Sequence, residues 1–168
     1  MSYLFLFMPT GKKLASRVID DKDRQILMLL QEDGRMQFKQ IAKKVGLSID
    51  SVHRRIKEMQ NKGIFHSTIQ IEPRAIGYPL VADIKIKLKN VSEKKRKEFI
   101  DYLKKHKSCI ELHAVMGDFD FTCVLIAKDS NELEELSTSI RQKFKDLILE
   151  WKGILVLKTY KFEEYNLN

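Results

Sequence analysis

At Gly63 the hydrophobic period of this chain changes, and that change limits its possible folds more than any other feature. Upstream, from Asp21, apolar residues recur at three- and four-residue spacing, as one face of a helix requires. Downstream the spacing drops to two. "GIFHSTIQIEP" reads as a strand, and Val81 to Lys89 sets Ile84, Ile86 and Leu88 against Lys85, Lys87 and Lys89, the pattern of a half-buried strand. Pro73, Gly77 and Pro79 mark a hinge between the two regions. A length of 168 residues fits one large domain or two small ones, and the break in period points to two.

The upstream region reads as three short helices. Asp21 caps the first, which carries Ile26, Leu27, Leu29 and Leu30 and stops at Gly34. The second runs from Phe38 to Val45 with Phe38, Ile41, Ala42 and Val45 inward. The third, capped by Ser48, runs from Ile49 to Asn61 with Val52, Ile56 and Met59 inward. Counted from Phe38, Ala42 is the fifth residue, Gly46 the ninth and Val52 the fifteenth. A small residue where two helices touch, a glycine in the turn and an apolar anchor at those intervals suit the crossing angle of a helix-turn-helix. A plain helical bundle shares the punctuation but does not need the charge: Met36 to Lys62 holds seven Lys or Arg against Asp50 and Glu58.

Beyond the hinge, a helix capped by Ser92 turns Phe99, Ile100 and Leu103 inward. A strand from Cys109 to Met116 leads through a Gly117-Asp118 turn into a strand from Asp120 to Ala127. Asp129 and Glu132 make a capping box for a long helix with the stripe Leu133, Leu136, Ile140, Phe144 and Leu147, and a last β segment is expected from about Ile154 to Phe162. The order β-α-β-β-α-β is that of ferredoxin-like domains. The expected class is therefore α+β: an extension over residues 1–19, a helix-turn-helix domain over 20–64, a linker strand and hinge over 65–79, and a ferredoxin-like domain over 80–168. Both helices of such a domain cover one sheet face. Phe119, Phe121, Cys123 and Leu125 lie on one side of their strand, but Val124 and Ile126 are apolar on the other. A second copy of the domain is the simplest cover, so a homodimer is expected.

A formal net charge of +8 and a pI near 9.4 favour a polyanionic partner, nucleic acid or an anionic membrane surface, although a solvated lysine-rich face gives the same number. The N-terminal "YLFLFM" is shorter than a signal core and its basic residues follow it, so no membrane span or secretion signal is read there. A packed strand, a disordered arm and a mis-set start codon all remain open for it. Cys109 and Cys123 fall on neighbouring strands about three positions out of register, roughly 10 Å at ~3.4 Å per residue, which is too far for a disulfide. Free thiols in a reducing cytoplasm are expected. No C-x-x-C metal spacing occurs.

Three stretches resemble, in order, the Lrp/AsnC (feast/famine) transcription regulators: "DDKDRQILMLLQEDGR", "IAKKVGLSIDSVHRRIKEMQNKGI" and "VMGDFDF". The resemblance covers about Asp20 to Tyr165. It implies an N-terminal helix-turn-helix, a connecting strand and an effector-binding (RAM) ferredoxin-like domain. That domain pairs through its sheets into dimers, which often join into tetramers or octamers, and amino acids bind near the dimer–dimer contact in many members. No cofactor, metal or catalytic residue is implied. Some proteins that resemble this family instead decarboxylate siroheme-type tetrapyrroles, and His113 is the residue to suspect for that. An orphan regulator whose RAM domain only oligomerises is a third reading.

By helix-turn-helix geometry the N-terminal half of the third helix enters the major groove. Arg54 is the first candidate for base contact, followed by His53 and Ser51, while Ile49 can meet a thymine methyl. Lys39, Lys43, Lys44 and Lys57 are placed for phosphates, next to the cap Ser48. Arg55 stands at the family's recurrent arginine position and reads either as a base or phosphate contact or as an intradomain tether. Asp50 supports the helix N-terminus or accepts from a cytosine amino group. Asp118 and Asp120 lack the companion ligands of a metal site or catalytic pair. With Met116, Gly117 and Phe119 they form either a hairpin turn or, as the resemblance implies, part of an effector pocket.

Overall fold

The computed structural model describes residues 19–167. The three readings of "YLFLFM" therefore lie outside the described residues. Two compact units are present: one from the chain up to Ile69 together with the segment from Lys161, the other from Gln70 to Tyr160.

In the first unit, α1 (Asp21–Glu32), α2 (Phe38–Val45) and α3 (Ile49–Asn61) enclose a core of Ile26, Ile41, Val45, Val52, Ile56 and Met59. Burying each such side chain contributes about 1.5–3 kcal/mol, so the apolar stripes hold this small bundle together. The cap of α1 is Asp20, not Asp21. The Asp23 amide donates to the Asp20 carboxylate at 2.8 Å, and the Asp20 amide donates back to Asp23 at 3.3 Å. Two acids three residues apart satisfy two orphan helix donors at once, which Asp21 cannot do. Gly46 closes α2 at φ 71°, a left-handed conformation that favours glycine, and the Lys22 ammonium donates to the adjacent Val45 carbonyl. Phe38, expected inward, is 38% exposed and sits against the His53 ring, 5.6 Å between centroids. In the C-terminal segment, the Gln31 amide pairs both ways with the Tyr165 backbone, 2.9 Å in each direction.

The expected strand "GIFHSTIQIEP" joins no ladder among the described residues, and Ile69 and Ile71 are exposed. Alternation alone does not make a strand: a ladder needs a second row of donors and acceptors.

The second unit contains β1 (Leu80–Leu88), α4 (Glu93–Lys105), β2 (Cys109–Ala114), β3 (Phe121–Ala127), α5 (Ser130–Lys143) and β4 (Ile148–Leu155). The sheet is antiparallel in the order β2-β3-β1-β4, as the ferredoxin-like reading requires. Ile84, Ile86, Phe121, Cys123 and Leu125 pack with Phe99, Leu103 and Ile140, and Phe99 meets Phe144 edge-on at 5.0 Å. β4 starts six residues before the expected Ile154. Phe144, at ψ 28°, already leaves the helix, so the apolar run Leu147-Ile148-Leu149 ends a turn and opens a strand instead of extending the α5 stripe.

Both thiols are free and Cys123 stands opposite Leu112, as expected, but the two cysteines lie nearer each other than plain register predicts. A bulge between Cys109 and Glu111 sets Cys109 opposite Leu125, two residues along the same face from Cys123. A two-residue diagonal spans ~7–8 Å; the Cys109 thiol donates to the Glu111 carbonyl at 3.3 Å, and the neighbouring Cys109, with burial, pushes the Cys123 thiol up. On the other sheet face Val124 and Ile126 stand beside a polar group: Lys85 Nζ lies 2.7 Å from Asp83 and donates to Thr122 at 3.0 Å.

Candidate nucleic-acid interface and the acidic turn

Ser48 caps α3 by accepting from the Ser51 amide at 3.2 Å, and the two hydroxyls meet at 2.8 Å. This draws Ser51 into the cap and leaves Ile49, Asp50, His53, Arg54 and Lys57 on the exposed side of the helix. Asp50 lies in the first turn, where the helix dipole favours an anion. Arg54 is two-thirds exposed and 3.6 Å from Glu58, one turn on, so it can exchange that weak pair for another partner. Phe38, at the start of α2, lies against the His53 ring, with the two planes tilted by 41°.

Lys39, Lys43 and Lys44 are all exposed on α2. Lys43 and Lys44 occupy its last turn, where cations also suit the helix dipole. An open groove of about 510 Å³ runs past Arg35, Phe38, His53, Lys57 and Gln60. Arg35 was not singled out in the sequence, because it lies in the turn after α1 and only folding sets it beside α3.

Arg55 faces the other way. Its Nη1 donates to Asp20 at 2.7 Å and to Asp23 at 2.8 Å, and those two carboxylates hold its pKa above the usual arginine value. Of the two readings of this residue, the tether is the one its geometry fits. The Asp23 amide, and after it Arg55, hold the Asp20 carboxyl below the usual range.

The turn from Val115 to Asp120 divides its two acids. Asp120 is structural: its carboxylate accepts from the Leu88 amide at 2.7 Å, just where the β1–β4 register slips, and its amide donates to Ile86. Asp118 is exposed, as are Met116 and Gly117, whose φ of 141° few other residues adopt; Phe119 is half-buried. Asp118 and Asp120 thus do not act as a matched pair. His113 is exposed, 3.5 Å from Glu111. Among the described residues no group of three His, Cys, Asp or Glu could hold a metal ion, and no helix is long and apolar enough to cross a membrane.

Fold and site together define a helix-turn-helix protein with an appended ferredoxin-like domain. Residues 19–60 match the AsnC-type helix-turn-helix domain and residues 81–165 the Lrp/AsnC ligand binding domain. The chain is 32% identical to the HTH-type transcriptional regulator FL11 of Pyrococcus abyssi, over 85% of this chain and 92% of that one. It is 31% identical to the HTH-type transcriptional regulator Ptr1 of Methanocaldococcus jannaschii, over 86% and 95%. The fold is also that of the transcriptional regulator NMB0573 from Neisseria meningitidis, solved as an L-Met complex (TM-score 0.80, 23% identity, 90% of this chain and 98% of that one). The chain belongs to the Lrp/AsnC family and is a DNA-binding transcriptional regulator. The decarboxylase alternative finds no favour in these relatives.

Proposed function

We propose that residues 20–64 bind duplex DNA through the exposed face of α3, with residues 80–168 as the effector-binding and self-association domain. The observation that carries this is the separation of roles on α3: Val52, Ile56 and Met59 are buried and Arg55 is tied inward, while His53, Arg54 and Lys57 are left to solvent on a capped, rigid helix. Arg54 reads base edges, with His53 and Ile49 beside it, and Lys39, Lys43, Lys44 and Lys57 meet phosphates.

The regulator acts in the cytoplasm as a homodimer or larger oligomer, with a second copy on the sheet face opposite the helices. An amino-acid effector binds at the turn Met116–Asp120, with Asp118 as the available carboxylate. The L-Met complex of the Neisseria relative supports that extension. Mapping of binding sites across the genome, with and without amino acids, tests both parts. Discrete sites whose occupancy changes with one amino acid support the reading. Sites indifferent to every amino acid remove the effector and leave a regulator whose second domain only assembles.

A further inference from the structure

The charge of the second unit is concentrated where helix electrostatics alone would not place it. From Glu93 to Lys107, α4 and the turn after it carry seven Lys or Arg against Glu93, Glu98 and Asp101, a net +4 and half of the formal +8 of the whole chain. Residues 20–64, the helix-turn-helix region, amount to only +3.

Position matters more than the total. The N-terminal end of a helix carries a partial positive charge and disfavours cations. Three other helices of this chain respect that, with Asp21 and Asp23 opening α1, Asp50 opening α3 and Glu132 opening α5. α4 instead places Lys94, Lys95, Arg96 and Lys97 in succession near its start, with Glu93 the one acid in its first turn and Glu98 following the run. Arg96 has a structural reason, since its guanidinium lies 5.2 Å over the Phe121 ring in the core. Lys94, Lys95 and Lys97 have none: they are exposed and form no ion pair among the described residues. A local rule broken without structural gain marks a functional surface.

The same face continues to the other end of the helix. Lys105, His106 and Lys107 line an open groove of about 450 Å³ with Tyr102, and Lys143 Nζ lies 4.7 Å over the Tyr102 ring. Here the dipole welcomes cations, so this end alone would prove nothing. Together the two ends place lysine clusters about 20 Å apart at 1.5 Å per residue, with Glu98 and Asp101 between them, a spacing that lets each end meet its own phosphates. The exposed cations are lysines, compact charges suited to phosphate oxygens, not the planar forks that read bases.

We propose that α4 is a second DNA-contacting surface, which holds phosphates of duplex DNA outside the bases that α3 reads and does so without regard to sequence. The reading of α3 supplies the identity of the polyanion; the charge placement on α4 stands independently of it.

The test uses the full chain and the triple variant K94E/K95E/K97E. Because the new carboxylates suit the helix dipole, the thermal midpoint should hold or rise, which separates lost binding from lost folding. Each protein is titrated, over a range of salt, with a short duplex selected by the wild type from a random pool and with a duplex of arbitrary sequence several helical turns longer. The expected result is unchanged affinity for the short duplex and at least a tenfold loss on the long one. The salt slope on the long duplex should fall by about 2–3, since each phosphate contact contributes about 0.9. Unchanged affinity and slope on the long duplex would overturn the proposal. So would loss confined to phosphatidylglycerol vesicles, which would assign α4 to a lipid surface. If the wild type selects no sequence at all, the reading of α3 fails alone, and the long arbitrary duplex still decides for or against α4.

Discussion

Arg55 of α3 donates to Asp20, the cap of α1, at 2.7 Å, and the same nitrogen reaches Asp23 at 2.8 Å. Helix α3 is thereby fixed to the start of the domain by one guanidinium shared between the two members of a capping box. Arg55→Ala should lower the stability of this unit by about 1 kcal/mol, a figure kept small by the partial exposure of the carboxylates. Arg55→Lys should recover part of it, because an ammonium has donors for both carboxylates but is a strongly hydrated point charge on a different stem. Urea unfolding of wild type, Arg55→Ala, Asp20→Asn and the double variant checks this. Additive losses would show that the pair is not coupled.

The two acids of the hairpin turn should separate cleanly. Asp120→Ala strands the Leu88 amide and should cost about 1.5–3 kcal/mol, the range for a hydrogen bond to a charged acceptor. Asp118→Ala removes an exposed side chain and should stay within about 0.5 kcal/mol, while changing both the amino-acid response and the oligomer size. Calorimetry beside light scattering reads both quantities. A silent Asp118→Ala would leave Met116–Asp120 as a turn and nothing more.

Gly117 adopts φ 141° with open space around its α-carbon, so Gly117→Ala meets backbone strain and no clash. A loss of about 1–3 kcal/mol is expected, in line with a residue forced into a sparsely populated conformation, with the sheet intact by circular dichroism. A neutral substitution would mean that the turn relaxes to another shape.

Acid should weaken both units. The Asp23 amide and then Arg55 hold the Asp20 carboxyl below the usual range. Burial pushes Asp83 up, but hydrogen bonds from Lys85 and Thr122, with the charges of Lys85 and His113, outweigh it and bring Asp83 below that range too. The unfolded chain therefore takes up protons near pH ~4, where the folded chain still refuses them. Stability from these groups is complete above that range and is lost as pH falls through it toward the lowered folded values. Urea midpoints between pH 7 and 3 should show the decline, and Asp20→Asn with Asp83→Asn should flatten it. An equal decline in the double variant would place the acid sensitivity elsewhere.

The parts of this fold that could be read from sequence were those set by local chemistry. Ser48, Ser92 and Asp129 are helix caps by residue type, and all three cap their helices here. The α2 and α3 boundaries follow from Gly46 and the apolar spacing. What escaped depends on partners distant in sequence. The bulge at Cys109 brings the thiols nearer than plain register would, and no alternation pattern encodes a bulge. β4 was misplaced because Leu147-Ile148-Leu149 satisfies helix and strand periods alike. At the proposed DNA-facing site, the exposed residues of α3 followed from spacing alone. The inward turn of Arg55, the contact of Phe38 with His53 and the approach of Arg35 required tertiary structure.

The central claim is that α3 reads DNA sequence, and competition binding tests it most directly. Wild type, Arg54→Ala and Lys57→Ala are each titrated with a selected duplex and its scrambled counterpart across a salt series. Arg54→Ala should lose about 1–3 kcal/mol on the selected duplex and little on the scrambled one, while Lys57→Ala should weaken both and reduce the salt slope by ~1. Wild-type sequence preference that survives Arg54→Ala and Lys57→Ala undiminished would contradict the account.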